Sequence, residues 1–222
     1  MQEPPNMIGQ LSVKYSNKPV IRSLLCIVPG WSSADTLIQK RADEIKADRL
    51  KTFFEELAEG KHELTDELIQ TEDFLHSYFC TLRAALNCRQ REKIKHLARL
   101  LSSSFDPTLQ VTPDEHEEIL SILEEISLRE YAILNDLRSR ELAHPRIEGE
   151  NELQHASKFW KEFKSVTIDT FGVPAESFNA FMTRLERTGL YVKISGSFIG
   201  YTGNVGTTTP LLARLTQLVN GA

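Results

Sequence analysis

The chain has 222 residues, a formal net charge of −5, and 41% hydrophobic and 26% charged residues. That is enough apolar material for a core, and it excludes wholesale disorder, collagen and disulfide miniproteins. Twenty-eight leucines against twenty-four valines and isoleucines together, with only 11 glycines, favour helices over a large β-fold.

The length suits one large domain or two small ones. Charge is spread unevenly. Residues 1–105 carry 15 Lys/Arg and 14 Asp/Glu, residues 106–151 carry 4 and 12, and residues 152–222 carry 7 and 5. An acidic middle therefore lies between two slightly basic flanks. The cysteines, Cys26, Cys80 and Cys88, are odd in number and fit no zinc or redox spacing. They read as free thiols of a reducing cytosol, so the expected location is cytoplasmic. The longest apolar run, Leu24 to Val28, is stopped by Pro29-Gly30, far short of the roughly 20 residues of a membrane span.

Residues 1–18 are polar and read as a loosely ordered tail. Residues 19–111 read as a helical bundle. Its first part is the apolar stretch Val20–Val28. A helix follows from Ser32 or Ser33, with Ala34, Leu37, Ile38, Ala42 and Ile45 on its inner face. Leu50, Phe53, Phe54 and Leu57 continue it with a phase slip, and Gly60 stops it. A second helix is predicted from Thr65 to Leu86, interrupted near Thr71, with Phe74, Leu75, Tyr78, Phe79 and Leu82 inward. A third spans Arg89 to Ser102.

Residues 112–150 read as an acidic helix pair and linker. Thr112-Pro113-Asp114-Glu115 and Ser127-Leu128-Arg129-Glu130 are capping boxes, the first with proline at the first helical position. In residues 151–222, a helix runs from Asn151 to Phe171, and a tight turn at Gly172-Val173-Pro174 leads into a helix from Ala175 to Thr188. A strand at Leu190–Ile194, a glycine-spaced hairpin over Ser195–Gly206 and a helix opened by Thr209-Pro210 complete the chain.

The order helix, turn, helix, strand, hairpin, helix resembles a winged helix-turn-helix. The residues carrying the resemblance are Phe171 to Pro174, Met182 to Glu186, Gly189-Leu190 and Thr209 to Leu211. The resemblance implies a mainly α fold in which Ala175–Thr188 is the recognition helix and the hairpin the wing. Asn179, Thr183, Arg184 and Arg187 would then face a nucleic acid or partner, with Lys193 on the wing. Together with the apolar Ile27-Val28-Pro29-Gly30-Trp31 segment and the helical middle, this tail also resembles an uncharacterised helical family from bacteria. That family is associated with mobile elements and defence loci, and it implies no activity.

Duplex binding draws its affinity from neutralised phosphates. Two arginines and one lysine beside Glu176 and Glu186 make a thin footprint, so the charge leans toward packing or protein contacts. The leading expectation is thus a non-enzymatic regulatory or protein-interaction protein that docks or self-associates through this module. A regulator binding double-stranded DNA is the alternative. A third reading makes residues 20–38 a hairpin inserted in a membrane, with Trp31 at the interface; its length favours a core segment instead.

A basic cluster, Arg83, Arg89, Arg91, Lys93, Lys95 and Arg99, reads as a solvated helix face. It would also suit phosphates, anionic lipid or pairing with Glu117, Glu118, Glu124 and Glu125. No H-E-x-x-H or G-x-S-x-G occurs. Glu152-His155 and Glu59-His62 have the E-x-x-H spacing of di-iron bundles, which need two such pairs and two more carboxylates in one core. Gly196, Gly200, Gly203 and Gly206 lack the lysine of a phosphate loop. No catalytic residue, cofactor, metal or small-molecule substrate is expected.

Overall fold

A computed structural model describes residues 11, 13–15, 17–26, 37–60, 64–198 and 201–220. The protein is mainly α-helical, with a C-terminal β-hairpin followed by a helix. It divides into two compact units, Met1–Leu123 with Leu218–Ala222, and Glu124–Gln217.

The first unit is built on α1 (Pro19–Cys26), α2 (Leu37–Glu59), α3 (Glu72–Asn87), α4 (Arg91–Ser104) and α5 (Pro113–Glu125) through Leu123. Helices α2 and α4 pack most extensively, and α3 lies against both. Leu50, Phe53, Phe54 and Leu57 of α2 recur at helical spacing and are all buried. The two phenylalanine rings meet edge to face at 5.5 Å. Leu24 and Leu25 of α1 are fully buried, and the Tyr78 hydroxyl donates to the Leu24 carbonyl at 2.8 Å. Burial pushes that phenol upward. The described part of the apolar N-terminal stretch is therefore core, whereas Trp31 and the Pro29-Gly30 turn lie outside the described residues.

Two side chains expected inside face solvent. Ile45 is 40% exposed and Phe79 39% exposed. Ile45 sits five residues before Leu50, roughly 140° around the helix, so the phase slip turns it away from the core. On α3 the inner positions beside Tyr78 are taken by Ser77 and Thr81, which leaves Phe79 on the flank. The interruption at Thr71 is real. A 3-10 turn, Leu68–Gln70, ends there, and the Thr71 hydroxyl caps α3 by accepting from the Phe74 amide at 3.3 Å.

The second unit contains α6 (Leu128–Ala143), α7 (Glu152–Asp169), α8 (Phe178–Glu186), β1 (Tyr191–Phe198), β2 (Tyr201–Thr208) and α9 (Pro210–Asn220) through Gln217. Ser127 and Glu130 form both halves of the expected capping box. Asn151 and Gln154 form another at α7. Leu153, Ala156, Phe159, Trp160 and Phe163 fill the core from α7 as expected.

The predicted recognition helix is shorter than its sequence span. Ala175–Ser177 is a 3-10 turn, and the α-helix proper begins at Phe178. Gly189, at φ +73°, reverses the chain into β1. The strands pair antiparallel over their full length, Tyr191 opposite Thr208 and Phe198 opposite Tyr201. The strand thus runs four residues beyond Ile194. Trp160 stacks on Tyr191 with centroids 6.3 Å apart, and Gly206 lies beneath that ring. A Cβ at Gly206 would come within 2.1 Å of it, so only glycine fits.

Candidate functional site

The exposed side of α8 begins with Asn179, whose carbonyl accepts from the Thr183 hydroxyl at 3.0 Å. Thr183 is thereby partly satisfied within its own helix. One turn on, Arg184 reaches Glu130 on α6, and Arg187 Nη2 sits 2.6 Å from Glu125 Oε1. Both arginines remain more than half exposed, at 55% and 70%. Lys193 is exposed on β1. Three of the five expected contact residues thus lie on α8 and Arg187 caps its C-terminal end, but both arginines already face carboxylates.

Glu130 ties three features together. Its carboxylate accepts from the Ser127 amide at 2.9 Å and hydroxyl at 2.6 Å, and it also holds Arg184. The residue that caps α6 therefore positions a cation of α8 as well. This link is not visible in sequence, because residues 130 and 184 are far apart along the chain.

Sequence reasoning also missed Phe181. The Arg184 guanidinium lies 5.5 Å from its ring centroid, and that of Arg129 lies 5.9 Å away. Each is within cation–π range. Phe181 and these arginines border a cavity of about 400 Å³, whose other walls include Val173, Pro174 and Ala180. Helical spacing groups Phe181 with the apolar positions Phe178, Met182 and Leu185, which are buried, while Phe181 is left half-buried at the exposed face.

The basic cluster of the first unit is resolved into separate pairings. Arg91 meets Asp48 at 2.5 Å and Arg99 meets Glu56 at 2.6 Å, both acids on α2. Lys95 meets Glu92 of its own helix at 3.1 Å, and that hydrogen bond holds the Glu92 carboxyl below its ordinary range. Part of the cluster is therefore paired within the chain, with acids of α2 and with Glu92 of α4 itself. Arg83 is exposed on α3, Arg89 is exposed just before α4, and Lys93 is half-buried.

Among the described residues no group of three or more His, Cys, Asp and Glu is placed to hold a metal. Glu152 pairs with Arg146 at 3.2 Å, while His155 is buried and its Nε2 donates to the His144 carbonyl. The E-x-x-H spacing at Glu152 is thus spent on two unrelated contacts, and His62 lies outside the described residues. Cys80, half-buried on α3, has its sulfur 3.7 Å from His76 Nε2, which is also 2.9 Å from Glu117. A nucleophile relay uses both ring nitrogens, one for the thiol and one for the acid. Here both contacts fall on the same nitrogen.

Helix, turn, short helix, β-hairpin and closing helix define a winged-helix-like module. No protein-family model, curated protein or solved structure matches the chain. Among the described residues no helix is long and apolar enough to cross a membrane.

Proposed function

We propose that this is a non-enzymatic regulatory protein whose winged-helix-like module docks a protein partner through the exposed face of α8. The supporting observation is the pairing of Arg184 with Glu130 and of Arg187 with Glu125. A duplex is held by cations free to neutralise phosphate. Here the cations of the would-be reading helix are balanced, and a half-buried phenylalanine sits between two guanidinium groups. Aromatic and arginine side chains on one patch are the usual anchors of protein interfaces.

DNA binding is the second reading, favoured by the exposure of Asn179, Thr183 and Lys193. Fluorescence anisotropy of the full chain with duplex DNA at low salt separates the two. The expected result is weak association that an Arg184→Glu/Arg187→Glu variant leaves unchanged. Tight binding that falls steeply with salt and disappears in that variant would replace protein docking with DNA recognition. The docking face itself is tested by quantitative affinity capture. A partner retained by the wild-type chain should be lost with Phe181→Ser and kept with Arg83→Ser.

A further inference from the structure

Two arginines of the basic cluster, Arg89 and Arg91, take part in a second, unassigned feature. A cavity of about 550 Å³ is bordered by Arg41, Arg49, Arg89 and Arg91, by Glu44 and Asp48, and by Ile45 and Ile94. Four cations thus share one cavity with two carboxylates. Glu44 is 2.9 Å from Arg41, and Asp48 is 2.5 Å from Arg91. Among the described residues neither Arg49 nor Arg89 has a carboxylate partner. Arg49 donates one N–H to the Leu86 carbonyl, which leaves most of its five donors unused. The cavity therefore carries two uncompensated positive charges.

Ile45 gives the cavity a second character. It is an aliphatic side chain left 40% exposed amid guanidinium groups. We infer that this cavity binds a small organic phosphate, with the dianionic phosphoryl group between Arg49 and Arg89 and the organic part against Ile45. Guanidinium suits this role because its planar fork meets phosphate oxygens in pairs and stays charged at any physiological pH. Arg41 and Arg91, held by their own acids, frame the cavity and do not add to its net charge. The site belongs to the first unit and is independent of the docking face on α8.

Isothermal titration of the full chain at low ionic strength tests this, with inorganic phosphate, pyrophosphate and adenosine monophosphate as probes at millimolar concentration. Adenosine monophosphate is expected to bind more tightly than phosphate. Arg89→Ser should weaken it by roughly tenfold to a hundredfold, the range for losing one charge-assisted bond. Arg83→Ser, a cation outside the cavity, should leave it unchanged, and Ile45→Ser should reduce adenosine monophosphate to the level of phosphate. A circular dichroism spectrum of each variant confirms that its helices are intact. Absence of heat with all three probes would overturn the site. Equal weakening by Arg83→Ser would also overturn it, by reducing the effect to diffuse charge. Equal affinity for phosphate and the nucleotide would remove the role assigned to Ile45 and, with it, the organic ligand.

Discussion

In the first unit the buried imidazole of His116 lies between two hydroxyls, whereas in the second the carboxyl of Glu141 lies against the start of the closing turn. Ser104 donates its proton to the Leu100 carbonyl at 2.7 Å, so its oxygen accepts from His116 Nδ1 at 2.8 Å. Nε2 is then the acceptor, and the Thr81 hydroxyl donates to it at 3.1 Å. The network is complete with the ring neutral, and burial holds the pKa down, to about 4. Glu141 accepts from both the amide and the hydroxyl of Thr208, bonds that favour the charged carboxylate. Burial still outweighs them and raises its pKa. Hydrogen bonds that serve the charged form moderate the desolvation cost, and bonds that serve the neutral form do not.

The two groups therefore link stability to pH with opposite sign. Between pH 6.5 and about 4 the unfolded chain takes up a proton that the folded His116 refuses. Stability present above pH 6.5 is lost as pH falls, by on the order of 3 kcal/mol at the lower end. This is the largest effect expected here. Hydrogen exchange of α3 and α4 amides, corrected for intrinsic rate, should show it, and His116→Gln should flatten it. An identical pH slope in the variant would mean that other groups carry the acid sensitivity.

Glu141 works the other way. Its folded pKa lies above the unfolded 4.5, so its contribution is greatest below 4.5 and is lost as pH rises through the folded value. Glu141→Gln keeps an acceptor for the Thr208 amide and should abolish this dependence at little cost. Glu141→Leu leaves that amide unpaired and should cost about 1–3 kcal/mol. Urea unfolding followed by Trp160 fluorescence, in a Trp31→Phe background, reads both, because Trp160 stacks on the hairpin base at Tyr191. Equal losses in the two variants would show that the carboxyl does not hold the hairpin.

What was readable in sequence follows the range of the interactions. The Ser127 cap and the buried faces of α4 and α7 depend on neighbours within a turn or two, and spacing reports them directly. The order of the winged-helix-like module was legible for the same reason: Gly172, Gly189 and Pro210 mark its turns locally. Ile45 was misplaced because a periodic pattern does not say which half of a slipped helix wins the core. The Arg184–Glu130 pair, the Arg91–Asp48 pair and the cluster around His116 join residues distant in the chain. Their charges and hydroxyls look alike in sequence whether paired or solvated.

The smallest effect separates the ion pair of Arg184 on α8 from that of Arg187 at its C-terminal cap. Glu130 is only 8% exposed and is fixed by Ser127, whereas Glu125 is 49% exposed and faces an Arg187 that is 70% exposed. An exposed pair gives up side-chain entropy and is screened, so Arg187→Gln should change stability by less than about 0.5 kcal/mol. Arg184→Gln should cost more, up to about 1 kcal/mol, because its partner is already ordered by the capping box. At roughly 1 M salt, where the screening length is about 3 Å, the Arg187 effect should vanish and part of the Arg184 effect should remain. Double-mutant cycles with Glu125→Gln and Glu130→Gln, run at both salt concentrations, measure each coupling. If both couplings vanished together, Glu130 would hold Arg184 no better than an open surface does. Arg184 and Arg187 would then be as available to phosphate as their sequence suggests, and protein docking would no longer be favoured over DNA.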